Sequence, residues 1–283
     1  MTTDSISYSE AVETARDYYN SADADAFYAN VWGGEDIHVG FYEGADDTIA
    51  DASRRTVERL AAVLGPPGDA SRVLDMGSGY GGMARYLAAT CRCNVVGLNL
   101  SEVENDRARR LNAEQGLDDL VEIVDGSYDS VPSEAGGFDA VCSQDALLHS
   151  DKRDAVVAEA ARVLKPGGLF AFTDIMQADS CPQEVLQPIF DRIHLESLGS
   201  PGTYCKVATE NGLELKLFQD HTSQLVEHYG RVLSETETMA GCLQTVSDEY
   251  LANMKKGLGY WIEGGERGWL AWGLFAFQKP HDA

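Results

Sequence analysis

The chain has 283 residues, with 46 Asp and Glu against 22 Lys and Arg, a formal net charge of −24. Phosphate binding needs a basic surface, so this balance argues against a nucleic-acid partner. Its apolar runs stop short of the roughly 18 residues of a membrane span, and its first residues are acidic rather than basic-then-apolar, so a cytoplasmic protein with no membrane partner is expected.

Self-repulsion at this charge strains a compact fold, and salt screens it, which points to a source that lives in or accumulates high salt. The first 47 residues are the extreme case, with eleven acids and one base, Arg16. The six cysteines form no C-x-x-C pair and no His lies in an H-E-x-x-H pattern. Reduced thiols and no metal are expected.

In chain order, residues 72–76 read as a buried strand ending in a Gly-rich turn, followed by a helix near 82–89. Residues 94–100 form the second strand. Ser101 is placed to cap a helix running to Gln115, which Gly116 stops. Strands follow at 121–124 and 138–143. A helix over 151–164 is closed by Lys165-Pro166-Gly167-Gly168 before a fifth strand at 169–174. Helices are then predicted at 183–197, 204–211, 224–240 and 244–263, with strands at 213–218 and 269–278. This alternation predicts a single α/β domain over 1–283. It would be a Rossmann-like seven-stranded sheet with helices on both faces. Residues 1–47 would form a lid segment, 48–175 the cofactor-binding core, and 176–283 the rest of the core with helical insertions over the strand ends.

The run Val73-Leu74-Asp75-Met76-Gly77-Ser78-Gly79-Tyr80-Gly81-Gly82 carries the chemistry. Gly77 and Gly79 permit a tight turn and close backbone approach to a ligand. A dinucleotide or a purely structural turn would give the same glycines. Asp75 discriminates, because it would repel a pyrophosphate and attract the ammonium of S-adenosylmethionine. Asn99 ends the second strand 22 positions after Gly77, where an acid normally holds ribose hydroxyls. An amide can still bond a diol, and Leu100 follows it beside the cofactor. Ser127 and Tyr128 are candidate adenine contacts. Gln144 and Asp145 would face the methionine portion and the reacting methyl.

These residues resemble the sarcosine/dimethylglycine N-methyltransferases, which make glycine betaine. The resemblance covers nearly the whole chain. It rests on 73–79, 97–101, Ser143 to Ser150, 161–168, Gln187 to Arg192, and the specific stretch from Asn253 to Gly265. It implies S-adenosylmethionine as cofactor, S-adenosylhomocysteine as product and a small amine as acceptor, in a monomer or small homo-oligomer. The Asp145…His149 spacing is also similar to that of the phosphoethanolamine methyltransferases. That likeness puts Asp145 beside the acceptor amine and pairs His149 with an N-terminal tyrosine, Tyr19 or Tyr18.

Methyl transfer to nitrogen needs a free lone pair. An imidazole with an unperturbed pKa of ~6.5 is suited to take the ammonium proton, which makes His149 the candidate base. Tyr18, Tyr28, Trp32 and Trp261 could wall a cationic nitrogen with aromatic faces. An Arg fork suits a carboxylate, and Arg192 is the candidate, with a surface ion pair as its alternative. His38 and Gly40 fall where related enzymes approach the cofactor. The alternative for Asp145 and His149 is that they cap the following helix and its turn. A phosphobase methyltransferase, a dinucleotide oxidoreductase and a non-catalytic binding module compete with the leading reading.

Overall fold

A computed structural model describes residues 10–32, 34–182, 184–193, 195, 197–239, 243 and 245–281. Two helices, α1 (Glu10–Tyr19) and α2 (Ala22–Val31), lead through an irregular stretch into α3 (Ile49–Leu64). The core then alternates β1 (Arg72–Met76), α4 (Gly82–Cys91), β2 (Asn94–Asn99), α5 (Glu102–Glu114), β3 (Val121–Asp125) and β4 (Phe138–Gln144). A single 3-10 turn, Leu147–His149, precedes α6 (Arg153–Val163) and β5 (Leu164–Gln177). The tail comprises α7 (Gln187–Ile193), α8 (Pro201–Glu210), β6 (Glu214–Asp220), α9 (Thr222–Thr238), α10 (Asp248–Glu266) and β7 (Leu270–Gln278).

The seven strands lie in the order β3-β2-β1-β4-β5-β7-β6. The first five are mutually parallel, and β7 runs antiparallel between β5 and β6. The order reverses between β1 and β4, which opens a crevice at the carboxyl ends of those strands. Helices cover both faces. On one, Val156, Val157 and Ala160 of α6 and Val207 of α8 pack on Phe170, Phe172 and Phe275. On the other, Val57 and Leu60 of α3 and Met83 and Leu87 of α4 pack on Val73, Val95 and Cys142.

Local signals set the helix starts. The side chains of Thr48, Ser101, Ser200 and Ser247 each accept a backbone N–H at the start of α3, α5, α8 and α10. Each satisfies one of the donors a helix leaves open at its N-terminus.

The structure differs from expectation in several places. Helices α1, α2 and α3 were not anticipated, although the Thr48 cap and the spacing of Val57, Leu60 and Leu64 encode α3. The helix expected over 183–197 shortens to α7, because Pro188 can enter a helix only in its first turn. Residues 183, 194 and 196 lie outside those described. Finally, Lys165–Gly168 does not separate α6 from its strand. Leu164 already pairs with Phe138, and the register then shifts before Leu169 meets Ala140, so the turn is a bulge inside β5.

The N-terminal helices and the late insertions meet over the strand ends. Phe27, Val31 and Trp32 pack with Val232, Leu251, Met254 and Leu258. Asp23 of α2 accepts the backbone N–H and the hydroxyl of Ser247 at 2.9 and 2.6 Å, tying α2 to the start of α10. Asp25 accepts from Arg107 on α5 at 2.9 Å.

Candidate active site

Two connected clefts open where β1 and β4 diverge. The first is lined by Asp75, Gly77, Gly79, Asn99, Leu100, Ser127, Tyr128 and Gln144, so every expected cofactor residue faces one space. The second is lined by Tyr18, Tyr28, Trp32 and Trp261. Tyr19, Ile37, His38, Asp145 and His149 line both and mark the junction.

Three features fit the first cleft to S-adenosylmethionine. Asp75 is 2% exposed, and its Oδ2 has no hydrogen-bond partner among the described residues. Burial pushes its carboxyl up to about 7; a ligand ammonium would supply the missing partner and favour the charged form. Gly77 sits at φ +78, and a Cβ there would lie 2.4 Å from the Cβ of Ala146. Gln144 Nε2 and Ser78 Oγ are likewise buried without partners among the described residues.

Asn99 sits at the strand end as expected, but its amide hydrogens go to Glu104 Oε2 and Asn105 Oδ1, both at 3.0 Å. Only its oxygen remains for a ligand. The acid at this position is Glu104, 4% exposed and pushed by burial up to about 7. Glu104 was not anticipated, because a Glu in the first turn of a helix gives no local sign that its carboxyl turns inward. The Ser101 hydroxyl does accept the Glu104 N–H at 3.2 Å, yet the Glu104 carboxyl turns to Asn99 and the cleft.

At the junction, Asp145 adopts φ +48, the left-handed region that Asp tolerates better than most residues. Its N–H still bonds the Thr173 carbonyl at 2.9 Å, so the strand ends in a sharp turn. Asp145 Oδ2 accepts the Val39 N–H and Oδ1 accepts the Trp272 indole N–H, both at 2.8 Å. Burial raises its carboxyl above the usual range, opposed by the neighbouring His38. In the turn that follows, Leu148 donates its N–H to Asp174 at 3.0 Å. His149 Nε2 then lies 2.9 Å from the hydroxyl of Tyr19. Of the two candidate tyrosines, Tyr19 meets the imidazole, and Tyr18 instead bonds Tyr250 at 2.9 Å. Burial lowers His149 to about 4, so at neutral pH its ring is uncharged.

Helix α1 lies across the mouth of the first cleft. Arg16 pairs with Glu102 at the start of α5, and Asn20 bonds Glu102 and Ser101 at 3.0 and 2.7 Å. In the second cleft, Tyr28 and Trp32 are neighbours at 4.9 Å between ring centres, and Trp261 stacks on Tyr229 at 5.7 Å.

The comparisons with known proteins agree with this geometry. A methyltransferase domain family matches residues 74–172. The chain is 55% identical over 271 residues to a sarcosine/dimethylglycine N-methyltransferase of Halorhodospira halochloris, covering 95% of this chain and 97% of that one. It belongs to the sarcosine/dimethylglycine N-methyltransferase family. Another member, from Aphanothece halophytica, is 50% identical over 267 residues, covering 94% of this chain and 96% of that one. The structure described as a sarcosine dimethylglycine methyltransferase of Galdieria sulphuraria superposes with a TM-score of 0.88 at 42% identity. It covers 93% of this chain and 99% of that one. The chain is thus an S-adenosylmethionine-dependent N-methyltransferase. Among the described residues no helix is long and apolar enough to cross a membrane.

Membership in the sarcosine/dimethylglycine N-methyltransferase family leaves the acceptor contacts to the geometry. Arg192 falls on α7, but its side chain lies outside the described residues. Lys256 of α10 does line the second cleft. His228 of α9 was not anticipated at all. It is fully buried beside that cleft, and its Nδ1 accepts the Gly40 N–H at 3.2 Å. A lone His on a helix gives no local sign of such a bond, which spans 188 positions.

Proposed function

We propose that this chain methylates the amine nitrogen of sarcosine and N,N-dimethylglycine, and that the second acceptor yields glycine betaine. The observation that carries this reading is the second cleft, which meets the cofactor cleft at Tyr19, Asp145 and His149 and is walled by aromatic rings. A quaternary ammonium product cannot accept or donate a hydrogen bond at nitrogen, and aromatic faces stabilise its charge. Among the described residues, the charged groups lining that cleft are Asp17, Asp23, Asp145, Asp191 and Lys256. That set suits an amine with one carboxylate and disfavours a phosphobase, whose dianion would face four acids.

Bound S-adenosylmethionine supplies an electrophilic methyl on sulfonium. The protein's part is position and electrostatics. Asp75 attracts the ammonium of the methionine end, and Gly77 and Gly79 let the backbone approach it. Glu104, steadied by Asn99, holds the ribose hydroxyls beside Leu100. Ser127 and Tyr128 border the adenine, and Gln144 borders the methionine portion. The Tyr19–His149 pair closes the junction against water, and Asp145 sets the negative potential that attracts the acceptor amine. Tyr18, Tyr28, Trp32 and Trp261 form the aromatic wall, and Arg192 or Lys256 holds the acceptor carboxylate.

The acidic composition and the free thiols of Cys91, Cys93, Cys142, Cys181 and Cys205 support a cytoplasmic site. The test is calorimetric titration with S-adenosylmethionine, followed by radiolabelled methyl transfer to glycine, sarcosine, dimethylglycine and phosphoethanolamine. Transfer to sarcosine and dimethylglycine is expected. Cofactor binding with transfer to neither overturns the acceptor assignment.

A further inference from the structure

His38 lies at the junction of the two clefts and is 9% exposed. Its Nδ1 is 3.2 Å from the carbonyl oxygen of Val39. A carbonyl can only accept, so Nδ1 carries the hydrogen, and the neutral ring has its lone pair on Nε2. That Nε2 is buried and has no partner among the described residues. An unpaired buried nitrogen is costly in free energy, and such groups in native proteins call for a ligand or a role.

The neighbouring histidines are differently committed. His228 Nδ1 accepts the Gly40 N–H at 3.2 Å and lies 2.9 Å from the Tyr42 hydroxyl, so its hydrogen sits on Nε2, which is buried without a partner among the described residues and has no lone pair to take a proton. His149 Nε2 faces the Tyr19 hydroxyl. The segment bearing His38 is held from several sides. Ser53 Oγ donates to the His38 carbonyl at 3.0 Å, Thr56 Oγ1 to the Val39 carbonyl at 2.7 Å, and the Val39 N–H to Asp145 Oδ2 at 2.8 Å. The lone pair is therefore fixed in direction, with the Asp145 carboxyl close enough to interact with the ring electrostatically.

We propose that His38, rather than His149, is the general base, its Nε2 taking the proton from the ammonium of the acceptor amine. This rests on the acceptor reading above. The N–H bond of the acceptor breaks and its proton goes to Nε2. The freed nitrogen pair forms the new N–C bond to the sulfonium methyl. The C–S bond breaks with its electron pair returning to sulfur, leaving the thioether. The imidazolium so formed is stabilised by Asp145 and later releases its proton to solvent. With both substrates, one N–H is replaced by one N–CH₃ and one proton leaves.

Two variants separate a base from a hydrogen-bond acceptor. His38→Asn keeps a donor for the Val39 carbonyl and removes the Nε2 position. His38→Gln keeps an acceptor near that position and cannot take a proton. With S-adenosylhomocysteine bound, His38→Asn is expected to bind dimethylglycine about tenfold more weakly by calorimetry, because one charge-assisted hydrogen bond is lost. Betaine has no N–H, and its binding should stay within about twofold. His38→Gln should keep dimethylglycine binding within about threefold, yet lose about 10²-fold or more in kcat, the usual worth of a general base. If either variant fails to bind the cofactor, the other carries the test. A kcat of His38→Gln within about threefold of wild type overturns the proposal. So does an equal weakening of dimethylglycine and betaine binding in His38→Asn. If the unaltered protein methylates neither amine, the acceptor reading falls and this proposal with it, a result distinct from turnover that the variants retain.

Discussion

Replacing Gly77 by Ala perturbs the cofactor loop in a way whose cost can be worked out from one dihedral angle and one distance in the fold. Gly77 sits at φ +78, where an L side chain costs about 1 to 2 kcal/mol. Its new Cβ would lie 2.4 Å from the Cβ of Ala146, far inside contact distance. Relieving such overpacking costs about 1 to 3 kcal/mol. Ala146 cannot yield freely, because its carbonyl accepts the Tyr128 hydroxyl at 2.7 Å and its neighbour Asp145 is held by Val39 and Trp272. The sum is about 2 to 5 kcal/mol, or a melting temperature about 4 to 20 °C lower for a chain of this size. The clash can be isolated. Ala146→Gly removes the obstructing methyl at a cost of about 0.5 to 1 kcal/mol of its own. In the Gly77→Ala background it should restore the clash component and leave the φ strain. Thermal unfolding of the two single variants and the double variant, with calorimetric titration of S-adenosylmethionine, measures both parts. Additive losses in the double variant, or a Gly77→Ala protein melting within about 1 °C of wild type, would refute the steric account.

Three further outcomes are expected. Asp145→Asn should cost about 1 to 3 kcal/mol of stability and more than about tenfold in kcat. Both carboxylate oxygens accept N–H groups, and an amide would turn a donor toward one of them; denaturant unfolding and turnover check this, and an Asn variant indistinguishable from wild type contradicts it. Asp75 has a carboxyl raised to about 7 in the fold from an ordinary 3.8. The folded protein therefore keeps a proton the unfolded chain has lost, and apo stability falls as pH rises from about 4 through 7. Because a cationic ligand favours the ionised acid, S-adenosylmethionine should bind up to about tenfold tighter for each unit the pH rises toward 7, and Asp75→Asn should remove that component. An unchanged slope in the variant assigns the proton elsewhere. Finally, a net charge of −24 predicts a melting temperature that rises from low to molar salt. Equal melting temperatures at both salt levels count against charge repulsion as a significant strain.

What the sequence by itself determined is whatever depends on a few adjacent residues. The strand–turn–helix of the cofactor loop was legible because buried runs, glycines and an acid at fixed offsets allow few local geometries. The same holds for the Ser101 cap. The alternation of strands with helices gave a parallel sheet covered on both faces, but not its order or the antiparallel β7. The departures share one cause, which is that packing across the chain overrides local preference. Glu104 carries no local sign of a role, yet it turns into the cleft, where Asn99 offers it a buried hydrogen bond. The Lys165–Gly168 turn looked like a linker and became a bulge because Leu164 finds a partner on β4.

Only the tertiary structure decided which tyrosine meets His149, since Tyr18 and Tyr19 are neighbours and the choice depends on how α1 is anchored to Glu102. The same holds for the partner of Asp145, an indole 127 positions away, and for His228 holding the backbone of Gly40 from α9. Hydrogen-bond direction at His38 is set by its neighbour's carbonyl and by a ring orientation that packing imposes. No spacing of residue types along the chain encodes that direction, because the free nitrogen exists only once the clefts have closed around it.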